Sequence, residues 1–506
     1  MTQLIPLLIR NPYAWIVVIA ITIRLSTLGL YPLADLTEAR YSEMARIMVE
    51  TGNWLTPQFN YNVPFWGKPP LSVWATASSF VIFGVNEFAA RLPAIFTALA
   101  TLLLVFHLGK QTLGVRAAWI ASAFLATNML FFILSGAVLM DPMMMLGITL
   151  SMVAFWQAMK VRGRYWGYLF FVGLSIGLMS KGPVAVVLTG AAITLWLIFS
   201  GQWRFVWQRI PLFSGTLLML LLSLPWYIMA EQATPGFFEY FIIGEHWKRF
   251  TEPGWNGDLY GTAHTSKTGE IWLNWLVVAF PMSLILIVSL LTTFWRNKLA
   301  SFGLLRQDWV LYLIFWAITP MLFFTFSGNI LATYVLPGIP AAALLVATIW
   351  SKQQTASTTN AKREQKIISI TAIGSFLLPL IYLGLLFFVV PQISEEHSEK
   401  TLVQQYHQTS AAFQEKARLV YLNKRPFSAR YYSKGKAELV SSEAEMRNIL
   451  NKTPNNLSQI FFAIPSKQEA SLSLGFKSCL NTIARYKNFI LFQANRENCL
   501  NNVTKR

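Results

Sequence analysis

Cysteine is nearly absent. The 506 residues hold two, Cys479 and Cys499, both near the C-terminal end. No Cys/His cluster has zinc spacing, and a disulfide scaffold is excluded. In an oxidising compartment a single bridge between the two and a pair of free thiols both remain open. Glycine-rich phosphate cradles are missing too. Neither a Walker-type nor a dinucleotide fingerprint occurs, so a nucleotide bound on such a loop is not expected. Acid is scarce: 23 Asp and Glu stand against 41 Lys and Arg, a net charge of +18. That balance can signal nucleic acid. In this chain the basic residues cluster in short connections between apolar runs, the pattern that orients membrane helices, so no nucleic-acid partner is expected.

What is abundant is apolar. Hydrophobic residues make up 54% of the chain, with a mean hydropathy of +0.46. Runs of about 18–22 residues recur, long enough to cross a hydrocarbon core of ~30 Å. Spans are expected near 13–31, 88–109, 116–136, 142–160, 165–181, 183–200, 210–230, 271–294, 308–326, 331–350 and 367–391. The first run lacks a small-residue cleavage site and reads as a retained helix. The connections at 109–116, 160–164, 201–209, 295–298 with Arg306, and 351–366 are basic and are expected in the cytoplasm. The loops 32–87, 136–142, 181–183, 231–270 and 327–333 then face the other side, as does the tail beyond about Pro391. The apolar segment 70–84 would invert every later span if it crossed. It is therefore read as interfacial, with Trp66 and Trp74 at headgroup level.

The tail changes character. "KARLVYLN", "AELVSS", "SQIFFAIP" and "NFILFQA" read as strands. "SSEAEMRNILNK" and "KQEASLSLGF" read as helices or turns between them, which gives a small α/β domain over 392–506. Residues 1–391 form the transmembrane part.

On the non-cytoplasmic side, ionisable residues from separate stretches converge. Asp35, Glu38, Arg40 and Tyr41 lie in the first loop, with Lys68 just before Pro69-Pro70. Asp141 opens a span and Lys181 closes one. Glu245, His246, Lys248 and Arg249 share "GEHWKRF", and His264 and Tyr334 follow. Charge at membrane depth is costly and usually marks a site. Each residue also has an ordinary reading. Asp35 suits a helix cap, Lys68 a snorkelling lysine, Asp141 a first-turn acid before proline, and Lys181 a cation on a helix dipole. A carboxylate with several cations close to lipid suits a substrate with a phosphate head and a lipid tail.

The order "TEARYSEMARIMVETGNWLTP", "PFWGKPPLSVW", "MDPMMMLGITL", "SKGP", "GEHWKRF", "FSGNILATYVLPGIP" resembles the bacterial aminoarabinose transferases that modify lipid A. These belong to the protein O-mannosyltransferase-like superfamily with the GT-C fold. The likeness covers roughly residues 10–350, and "KRPFSARYYSKGKAEL" resembles the family's periplasmic domain. It implies a GT-C bundle of about eleven to thirteen transmembrane helices, with a C-terminal periplasmic α/β domain, in the bacterial inner membrane. It also implies a monomer that moves a sugar, with inversion, from undecaprenyl phosphate to lipid A or another lipopolysaccharide component. A flippase for lipid-linked sugars and a protein O-glycosyltransferase are the alternatives. By this resemblance Asp35 and Glu38 are catalytic, with Asp35 first. Lys68, Arg249, Lys181 and Arg40 bind donor phosphate. Tyr41, Asp141, His246, His264 and Tyr334 line the substrate cavity. Two departures stand out. Thr37 occupies the place of the family's first acid, and Gly67 that of a glutamate before Lys-Pro. The second leaves a divalent metal unassigned.

Overall fold

The computed structural model describes residues 11–35, 37–160, 163–261, 265–296, 307–355, 374, 377–411, 417–452 and 459–495. The chain divides into two compact units, Met1–Leu28 with Ile47–Gly384, and Gly29–Arg46 with Leu385–Arg506. The sequence had assigned 29–46 to the transmembrane part.

The first unit is helical. Among the described residues five helices are long and apolar enough to cross a membrane: Glu87–Leu113, Asp141–Lys160, Leu212–Ala233, Ala332–Ser351 and Leu377–Glu396. The chain is therefore read as a multi-pass helical membrane protein. A sixth span forms if Glu270–Val278 and Met282–Val288 count as one, although they bend by 102°. Pro281 sits at that break, where it removes a backbone donor and disfavours helix in the residue before it. The run 116–136 is likewise two helices, Val115–Thr127 and Met129–Leu134, parted at Asn128, whose side chain caps the second. Pro12–Ser26, Val184–Ser200 and Asp308–Phe324 are shorter apolar helices. Leu71–Phe83 has 13 residues, a rise of ~20 Å, short of a full crossing. It packs on Glu87–Leu113.

The pairing of Asp141–Lys160 with Arg164–Lys181 sets the geometry of the site. Glycines let the two backbones meet closely. A Cβ on Gly147 would lie 2.7 Å from the Gly173 carbonyl oxygen. Ser151 Oγ crosses the seam to the Phe170 carbonyl at 3.0 Å. Because the second helix runs back along the first, the start of one and the end of the other lie together.

In the second unit, five strands form one mixed sheet. After the short hairpin β1 (Gln58–Asn60) and β2 (Val63–Pro64) of the first unit, these are β3 (Arg418–Leu422), β4 (Glu438–Val440), β5 (Ile460–Pro465), β6 (Leu480–Arg485) and β7 (Phe489–Ala494). Their order is β4-β3-β5-β7-β6. β3 runs parallel to β4 and β5, while β7 is antiparallel to β5 and β6. Helix Glu443–Lys452 connects β4 to β5 and buries Met446 and Leu450 against one face. Leu402, Val403 and Tyr406 cover the other. Four of these strands follow the sequence reading. β6 does not: it follows the stretch read as helix or turn, and its polar side chains face out. Cys479 is buried, with its thiol donating to the Gly475 carbonyl. Cys499 lies outside the described residues, and so does the question of a bridge.

Candidate active site

The first unit holds a cavity of about 200 Å³ lined by Lys68, Lys181, Glu245, His246, Arg249, Asn329 and Tyr334 on its polar side. Val184, Val187, Phe323 and Phe324 form an apolar wall. Six residues singled out in the sequence, Glu245 among them, thus meet around one space.

Lys68 is set by its neighbours. The β1–β2 hairpin leads into Phe65, whose buried ring lies 4.7 Å from that of Tyr260. The Tyr260 hydroxyl donates to the Pro64 carbonyl and accepts from the Trp66 N–H. Pro69 and Pro70 then restrict the chain on the far side. The Lys68 ammonium reaches Glu245 Oε2 at 2.7 Å and the Gly67 carbonyl at 2.6 Å.

Glu245 is the centre of the site. It lies on a π-helical stretch, Glu239–Lys248, inside what the sequence presented as a loop. Such wide turns are rare and cluster at functional sites. Arg249, four residues on, holds Glu245 Oε1 at 3.0 Å and Asp258 at 3.4 Å. The Tyr240 hydroxyl donates to the same Oε1 at 3.3 Å. Burial opposes ionisation of Glu245, but Lys68 and Arg249 outweigh it and hold the carboxyl below its ordinary range. His246 is pushed down by burial and stays neutral. Its Nδ1 lies 2.7 Å from the Phe241 carbonyl.

The helix pair places the second ion pair. Asp141 begins one helix, Lys181 ends the other, and their side chains meet at 2.6 Å. Lys181 also lies 4.6 Å from the Tyr334 ring centre, a cation–π contact. Gly182 turns the chain with φ +88°, and a Cβ there would come within 2.5 Å of Phe241 and 2.9 Å of His246. Glycine is required at this position on both counts.

Two cavity residues carry buried polar atoms with no partner among the described residues. They are Arg249 Nε and both amide atoms of Asn329. Native proteins leave few such groups unmet, and each calls for a ligand or water. Sequence reading missed Asn329 altogether. It named Glu245 without giving it a role, although its spacing to Arg249 is the ordinary helical pairing distance. Lys248 is exposed, so "GEHWKRF" supplies one clamping cation, Arg249, and not two.

The remaining expected residues lie in other parts of the chain. Asp35, Glu38, Arg40 and Tyr41 belong to the second unit. Asp35 accepts from the Ser428 N–H at 3.1 Å and from the Ser428 hydroxyl. Burial raises its carboxyl above the ordinary value despite those bonds. Glu38 lies in the first turn of helix Thr37–Thr51. Arg40 lies 5.0 Å from the Tyr41 ring centre. His264 lies outside the described residues. As for a metal, no three His, Cys, Asp or Glu side chains gather as a ligand set among the described residues. A side chain on Gly67 would meet the Phe65 ring at 2.9 Å. The described residues therefore offer no ligand set for a resident ion.

Residues 8–241 match the family described as Dolichyl-phosphate-mannose-protein mannosyltransferase. The undecaprenyl phosphate-alpha-4-amino-4-deoxy-L-arabinose arabinosyl transferase of Edwardsiella ictaluri is 30% identical over 315 residues, 61% of this chain and 54% of that protein. Its counterpart in Shewanella sediminis is 29% identical over 65% of this chain and 57% of its own length. The match thus spans little more than half the length of these relatives. A crystal structure of ArnT from Cupriavidus metallidurans bound to undecaprenyl phosphate superposes with a TM-score of 0.73 at 18% identity, covering 95% of this chain and 97% of that one. The apo form gives 0.75. The chain is thus similar in sequence to the aminoarabinose transferases and to the mannosyltransferase family over part of its length, and shares the fold of ArnT.

Proposed function

We propose that this protein is an inner-membrane glycosyltransferase that moves a sugar from a polyprenyl phosphate to an acceptor on the periplasmic face, lipid A or another lipopolysaccharide component. The observation that carries the reading is the cavity's polar side. Arg249 Nε and the Asn329 amide are buried without partners, beside the ammonium groups of Lys68 and Lys181 and against an apolar wall. Such a lining offers donors to a phosphate and a sugar, and an apolar surface to the lipid that bears them. The relatives' names and the undecaprenyl phosphate bound to the neighbouring fold favour the same donor.

The chemistry follows from charge. The acceptor oxygen bonds to the anomeric carbon as the bond from that carbon to the phosphate oxygen breaks, with inversion. The electron pair leaves on the phosphate. Lys68, Arg249 and Lys181 stabilise that anion through fixed charges whose positions are set in advance by Glu245 and Asp141. A hydroxyl acceptor must also lose a proton, and a carboxylate takes it. Asp35, which accepts from Ser428, and Glu38 are the two candidates for that carboxylate. A phosphate acceptor is already anionic and needs no base.

Proteoliposomes loaded with a polyprenyl-phosphate sugar and lipid A separate the classes. Transfer to lipid A with inverted anomeric configuration is expected. Movement of the donor across the bilayer without transfer would make the protein a flippase instead. Glu38→Gln should cost on the order of 10²–10⁴ in rate if the acceptor is a hydroxyl. A loss confined to acceptor binding would point to a phosphate acceptor.

A further inference from the structure

We propose that an acidic cavity in the second unit is a binding site for a small organic cation, a primary ammonium group carried by a soluble amine or by a lipid headgroup. The cavity encloses about 400 Å³, within the usual range for small-molecule sites. Three carboxylates, Glu395, Glu396 and Glu399, line it against one lysine, Lys487, together with Tyr486 and Asn488. Lys487 is already paired with Glu396.

Glu399 makes this a built site and not merely an acidic patch. It is 5% exposed, lines the cavity, and its carboxyl receives no hydrogen bond among the described residues. The reason is local. Ser428 accepts from the Glu399 backbone N–H at 3.0 Å and commits its own hydroxyl to Asp35. The Ser428 hydroxyl beside Glu399 is thus spent on its neighbour. Burial and the nearby Asp35 push Glu399 up to about 8, against a weaker pull from Lys424. Tyr421 and Tyr486 also face it. A carboxyl held this way gains by exchanging its proton for a fixed cation.

An ammonium group suits the space better than a metal ion. It brings three donors for the carboxylates, and the Tyr486 ring offers a face to its charge. No metal-ligand set exists among the described residues. The apolar helix Leu377–Glu396 ends at this cavity, where a span meets headgroups, so a lipid amine can reach it as well as a dissolved one.

Binding releases the Glu399 proton to solvent as the ammonium takes its place. The test is calorimetric titration of ethanolamine into the full-length protein in phosphatidylglycerol nanodiscs at pH 7. Two buffers of different ionisation enthalpy are used. Saturable binding with release of about one proton per ethanolamine is expected. Glu399→Gln should weaken it at least about tenfold and abolish the proton release. Thr401→Phe fills the cavity from its exposed rim and should also abolish binding, which keeps the test decisive if the first variant misfolds. In phosphatidylethanolamine nanodiscs, loss of ethanolamine binding identifies the headgroup as occupant. Unchanged binding identifies a soluble amine. Absence of saturable binding, unchanged affinity in Thr401→Phe, or Mg²⁺ displacing ethanolamine at lower concentration would overturn the proposal. The transfer reaction does not enter the readout, so the two readings stand or fall separately.

Discussion

Glu245 and Glu399 are buried to nearly the same depth, one in each unit, yet they titrate in opposite directions. Glu245 has Lys68 at 2.7 Å and Arg249 at 3.0 Å and is held below its ordinary value. Glu399 has Asp35 for a neighbour, its carboxyl receives no hydrogen bond among the described residues, and it is pushed up to about 8. Burial penalises the charge in both. The counter-charge decides which way the balance falls. The first unit has built a charged cavity neutralised in advance. The second leaves its carboxyl waiting for a proton or a cation.

The comparison breaks most visibly at Glu245. Glu245→Gln leaves Lys68 without its carboxylate and Arg249 with Asp258 alone, and a loss of about 3–5 kcal/mol in stability is expected from chemical denaturation. Added undecaprenyl phosphate should restore part of it, because the phosphate replaces the missing charge. A variant as stable as the wild type would show that the ion pairs are incidental. Next in size is Lys68→Ala. It should lower turnover on the order of 10²–10³-fold, the usual result of removing one preorganised group that stabilises developing charge. Normal turnover would remove Lys68 from the site.

The smallest effect sharpens the other half. Glu399 binds its proton more tightly folded than unfolded, where an ordinary glutamate lies near ~4.3. Wild-type stability should therefore fall as pH rises from about 5 to about 8 and level off above. Glu399→Gln should flatten that slope while matching the wild type near pH 5. Parallel pH profiles for the two proteins would show that Glu399 carries no such burden.

Much of the first unit was legible before the structure. Lys68, Lys181 and Arg249 announced themselves as cations beside prolines, helix ends and an aromatic motif. The meeting of Asp141 with Lys181 follows from two apolar runs joined by a short connection. What stayed hidden depends on distant pairing. Asp35 and Ser428 lie 393 residues apart, so no local pattern could show that Asp35 is engaged. Asn329 sits in an apolar motif whose backbone, not its spacing, turns the amide inward. β6 is an edge strand with a polar face, and its sequence lacks the apolar alternation that reveals a strand. The breaks at Asn128 and Pro281 were readable from a cap residue and a proline, but hydropathy averages across both.

The central claim is that Lys68 and Arg249, whose Nε has no partner among the described residues, hold a lipid phosphate. Undecaprenyl phosphate affinity, measured on purified protein, tests it directly with Lys68→Ala and Arg249→Lys. The second keeps the charge and removes the Nε donor. Each should weaken binding by at least about tenfold, one charge-assisted hydrogen bond or more. Wild-type affinity in both variants would contradict the account.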